Sequence, residues 1–103
     1  MEGSVFIRMI ADEYLRLEKS DENLLRFRNW LNVVLRTVEV TIEGVQYNPS
    51  DVILHAALKR ESIPPYNPAN PVLARVLALF PEDEITGMFG PDAMRKIRQI
   101  MNY

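Results

Sequence analysis

His55 is the only histidine in the chain, and imidazole is the one side chain whose ordinary pKa lies near neutrality. Asp51 stands four residues before it, which on a helix is the same face, so its carboxylate is placed to orient the ring. Such a pair supplies two arms of a metal site or half of a catalytic relay. Both chemistries need a further ligand or a nucleophile, and the sequence points to neither. A solvent-facing Asp-His pair on a helix is the simpler expectation. A second group, Glu82, Asp83 and Glu84 with Asp92, has the oxygen donors that a hard cation takes. It lacks the alternating ligands and internal glycine of a calcium loop, and carboxylates in the first turn of a helix are already explained by the helix dipole. Gly44, Gly87 and Gly90 form no phosphate-cradling motif. The chain has no cysteine, so thiolate ligands, disulfides and a cysteine nucleophile are excluded. The expectation is a protein that is not an enzyme and carries no metal or cofactor.

Two basic sets could meet phosphate. Arg26, Arg28 and Arg36, with Asn29 and Asn32, fall on one side of a helical stretch, and Arg95, Lys96 and Arg98 fall together near the C-terminus. The net charge of −2 and a pI near 5.4 give no global field for nucleic acid, so that reading rests on local patches. The last basic set follows a short helix and a Gly90-Pro91 turn, which is the outline of a helix-turn-helix. The residues depart from that motif: Thr86 stands where a small residue is expected, and Pro91 and Lys96 stand where apolar ones are. Asp92 at the start of the last helix would also repel phosphate. Nucleic-acid binding is therefore the alternative rather than the first reading.

The first reading comes from apolar residues in the wrong places. Leu25 and Val33 fall on the polar side of a long helix, Met88-Phe89 occupies a short loop-bounded segment, and Tyr103 belongs to a fringe with Met94 and Met101. These features predict a small non-catalytic protein-interaction or regulatory module whose partner is another protein or a second copy of itself. Ile63-Pro-Pro-Tyr-Asn-Pro68 departs from the Pro-Pro-x-Tyr spacing that aromatic-groove domains read, and is expected to be a connector.

The elements that must position these residues are legible from period and punctuation. Ser20 to Val38 places Leu24, Phe27, Trp30, Leu31, Val34, Leu35 and Val38 in an arc of about 140°, which predicts a helix at the centre of the core. Before it, Phe6, Ile7, Ile10, Tyr14 and Leu17 predict an amphipathic helix capped by Ser4, and the short break at Ser20-Asp21 makes the two helices neighbours, expected to be antiparallel. After Arg36 the period drops to two: Val38, Val40 and Ile42 alternate with polar residues, and Glu43-Gly44 offers a tight turn into Val45-Gln46-Tyr47. Asn48-Pro49 and Asn70-Pro71 each read as a cap followed by a proline start, the first leading into Val52, Ile53, Ala56 and Ala57, the second into a nearly all-apolar helix from Val72 to Phe80. Prolines 64, 65, 68 and 71 forbid regular structure between those two helices. Pro81 and Pro91 open two more short helices. A similarity between Tyr47–Leu58 and Tyr66–Leu77 is explained by both segments solving the same capping problem, since a repeat architecture needs about three such units.

The predicted fold is mainly α: a compact bundle of five to six short helices with one β-hairpin at about residues 38–47, and one domain over 1–103. The apolar runs fall short of the roughly 18 residues that cross a bilayer, and the N-terminus has no secretory pattern, so an intracellular, soluble protein with no membrane partner is expected.

Overall fold

A computed structural model describes residues 1–58 and 70–101. Its elements run α1 (Gly3–Arg16), α2 (Asp21–Thr37), β1 (Val40–Ile42), β2 (Val45–Tyr47), α3 (Pro49–Leu58), α4 (Asn70–Leu77), α5 (Glu82–Phe89) and α6 (Ala93–Met101). The chain is mainly α, a small bundle of helices with one antiparallel hairpin, as its periodicities predict. The proline-rich connector falls outside the described residues up to position 69, as do Lys59, Arg60 and Tyr103.

Local chemistry sets most boundaries. Ser20 is extended, and its hydroxyl accepts from the Asn23 N–H at 3.2 Å, which starts α2 where the sequence places the cap. Asn48 Oδ1 accepts from the Ser50 N–H at 2.9 Å, and Pro49 needs no donor in the first turn of α3. Gly90 closes α5 with φ 94° and ψ 170°, its N–H bonded to the Thr86 carbonyl at 2.9 Å. The start of α1 differs from expectation. The helix begins at Gly3, so Ser4 lies within the first turn and does not cap it. The cause is tertiary: Glu2 is extended and bridges Thr41 in parallel, while its carbonyl accepts from Phe6 at 3.0 Å.

The hairpin turns at Glu43 (φ 51°) and Gly44 (φ 80°), the two positive angles that a two-residue loop matching strand twist requires. Its register pairs Val40 with Tyr47 and Ile42 with Val45, so these four side chains share one face. Val40 is fully buried, yet Val45 and Tyr47 are exposed, because the apolar face of the ribbon extends past the core beneath it. α2 ends at Thr37, where the two-residue period predicts that the helix gives way to the hairpin.

The centre of the molecule is α3. It packs against α1, α2, α4, α5 and α6, whereas α2 has α3 as its main backbone neighbour. This corrects the expectation that α2 is central. Ala56 and Ala57 are both fully buried, and such small side chains let α4 approach α3 closely. Large residues on α2 hold it at the flank: Phe27, Leu31 and Val34 are buried, but Leu24, Trp30 and Leu35 remain half-buried. The α1–α2 contact is aromatic, with Tyr14 edge-on to Phe27 at 5.6 Å between ring centroids and Trp30 beyond it at 5.5 Å from Phe27. The expected deep burial of the α4 region holds for Leu73, Ala74, Val76 and Leu77, with Arg75 pointing out. A radius of gyration of 12.8 Å agrees with the roughly 13 Å of a close-packed chain of this length. Among the described residues no helix is long and apolar enough to cross a membrane.

Candidate protein-interaction face

The residues with potential for acid-base or metal chemistry stay apart or are already engaged. Asp51 and His55 are both exposed on α3, and no hydrogen bond joins them. In the acidic turn of α5, Glu82 pairs with Arg98 of α6 and Glu84 with Arg28 of α2 at 3.1 Å, while Asp92 pairs with Arg95 at 3.7 Å. Among the described residues no three carboxylates or imidazoles converge as a metal site would need. An open depression lies beside Ser4, Val5, Arg8, Met9 and Asp12 on α1, a lining with no nucleophile-base pair.

The same ion pairs bear on the two basic sets. Arg26 contacts Glu22 at 2.7 Å along α2, so Arg26, Arg28, Arg95 and Arg98 each have a carboxylate partner. Arg36 and Lys96 have none among the described residues. Arg28 is not a solvent-facing cation at all. Its side chain is 26% exposed, its guanidinium lies 5.8 Å from the Phe80 ring centroid, and its Nε is buried without a hydrogen-bond partner. It bridges helices: α2 is tied to α5 through residues 56 apart in the chain. Arg28→Ala is therefore expected to lower stability by about 1 kcal/mol, from lost packing of the arginine stem and a half-screened ion pair. Chemical denaturation of the variant checks this; an unchanged midpoint would show that Arg28 does not hold α2 to α5.

The apolar residues singled out from sequence separate into three groups. Leu25 and Val33 are 55% and 59% exposed, both on the outward side of α2. Met88 is at the margin of exposure on α5, with its Sδ 3.9 Å from Ser50 Oγ at the start of α3, and Phe89 is half-buried against the core. Tyr103 lies outside the described residues. Five further large apolar side chains exposed among the described residues were not singled out by sequence: Met1, Val5, Leu15, Val45 and Tyr47. Val45 and Tyr47 lie on the hairpin face they share with Val40 and Ile42, beyond the point where the core beneath it stops.

With Asn29 as origin and about 100° per residue, Glu22, Leu25, Val33 and Arg36 all fall within about 40° of it. The buried residues Phe27, Leu31 and Val34 lie on the opposite side of the same helix. Glu22, Leu25, Asn29, Val33 and Arg36 are all exposed, so they form one stripe with apolar residues inside and charges at the ends. Comparison with protein-family models, curated proteins and solved structures finds no match for this chain.

Proposed function

We propose that this chain is a small non-catalytic protein-interaction or regulatory module that docks through the outer face of α2. The observation that supports this most is Leu25 and Val33, each more than half exposed and turned away from the core arc of their own helix. An apolar centre with a charged rim is the composition of a transient interface, and Glu22, Arg26 and Arg36 supply the rim. The nucleic-acid alternative has less behind it, since four of its six basic residues are paired with carboxylates: Arg26, Arg28, Arg95 and Arg98.

The test compares the wild-type chain with the double variant Leu25→Asp/Val33→Asp, each immobilised and exposed to cell extract. The expected result is that proteins held by the wild type are retained at least about tenfold less by the variant, a difference of about 1.4 kcal/mol. Thermal melting should be nearly unchanged, because substitutions at exposed sites usually stay within about 0.5 kcal/mol. Retention that ignores the two substitutions would overturn the proposed face. Binding to pooled DNA or RNA that weakens steeply with salt would instead establish phosphate contacts through the arginines.

A further inference from the structure

We infer that the occupant of the α2 outer face is α2 of a second copy of this chain, laid antiparallel about a two-fold axis at Asn29. The inference rests on the interaction reading above and names its partner. Its basis is a symmetry in the exposed stripe. Leu25 and Val33 each stand four residues from Asn29, and Glu22 and Arg36 each stand seven. Turning a second helix end for end about Asn29 therefore sets Leu25 against the second copy's Val33 and Glu22 against the second copy's Arg36. Each contact occurs twice, as an isologous interface requires.

The charges select this arrangement over the other one. A parallel pair would oppose Glu22 to Glu22 and Arg36 to Arg36, whereas the antiparallel pair matches opposite signs at both ends. Arg36 has no carboxylate partner within its own chain among the described residues, and Glu22 is 73% exposed with only its Oε1 engaged by Arg26. The second copy supplies a carboxylate for Arg36. At the axis, two Asn29 amides meet, each able to donate to and accept from the other, and a single central polar pair of this kind fixes the register of paired helices. The matched stripe from Glu22 to Arg36 is about 21 Å long, four helical turns. With two apolar side chains from each copy, the contact belongs to the small, transient class of interface, so association depends on concentration.

The chain has no cysteine, which makes the geometry directly testable. In Asn29→Cys the introduced thiols would lie across the axis, within the distance that a disulfide spans, and oxidised glutathione should convert the variant to a covalent dimer. Gln99→Cys, on the exposed side of α6, serves as the control and should remain monomeric under the same treatment. Independently, sedimentation equilibrium should show wild-type dimer growing with concentration. Glu22→Arg or Arg36→Glu alone should weaken it about tenfold, by turning two attractions into repulsions, and the combined exchange should restore it. Circular dichroism confirms that each variant stays helical, and the cysteine variants do not depend on the charge exchange. Equal cross-linking of the two cysteine variants, or a combined exchange that fails to restore association, would overturn the antiparallel register. A wild-type chain that stays monomeric at every concentration, while another protein is still held through Leu25 and Val33, would overturn self-pairing and leave the interaction module standing. Loss of both would remove the two readings together.

Discussion

Replacing Ile53 with alanine is expected to cost about 2–5 kcal/mol, the range for removing a large aliphatic side chain from a filled core. Ile53 is 1% exposed and sits on α3, the helix against which all five others pack. A cavity there has walls from several elements, and none can collapse into it without moving away from another partner. Small domains are stable by only about 5–15 kcal/mol in total, so this single change takes a large share of the margin. Urea unfolding should show a lower midpoint with an unchanged slope. A loss under about 1 kcal/mol would contradict the central position of α3, because a flanking helix could then shift to fill the space.

Alanine at Gly90 and alanine at Gly87 should act in opposite directions, although the two positions are three residues apart. Gly90 holds φ 94° and ψ 170°, a backbone region essentially confined to glycine, and a Cβ there would meet no neighbouring atom within 4 Å. The cost of Gly90→Ala is therefore backbone strain alone, about 1–3 kcal/mol. Gly87 is inside α5, with no positive φ and equally open space, so Gly87→Ala should stabilise by about 0.5–1 kcal/mol through helix propensity. Paired thermal melts decide the matter. A Gly90→Ala variant as stable as wild type would mean that the α5–α6 connection can relax to an ordinary conformation.

Much of the fold could be read from the chain because the relevant forces are local. Ser20, Asn48-Pro49, Glu43-Gly44 and Gly90 each act on backbone groups within four residues, and each stands where its element begins, turns or ends. What escaped was decided at long range. The start of α1 depends on a bridge between Glu2 and Thr41, and the central place of α3 depends on how closely Ala56 and Ala57 admit α4. A seven-residue apolar arc made α2 look like the hub, but arc width measures how much a helix can bury, not how many neighbours share the burial. The candidate face was partly legible. Leu25 and Val33 stood out as apolar residues on a polar side, whereas the engagement of Arg28 by Glu84 and Phe80 brings together residues more than fifty positions apart. Val45 and Tyr47 were hidden by a correct hairpin: their register gives the face they share with Val40 and Ile42, but not where the core under that face stops.

The flanking position of α2 also bears on how the molecule opens. Its attachments are one principal helix neighbour, a short run of aromatic rings and the Arg28–Glu84 bridge, while α3 and α4 hold each other in the interior. Stability in a small protein is not uniform, and the helix with the fewest interior attachments is a natural unit of sub-global unfolding. The proposed docking stripe lies on that same element. Occupying it would hold the least attached of the described helices in place, so binding and local order would be thermodynamically linked, each raising the population of the other.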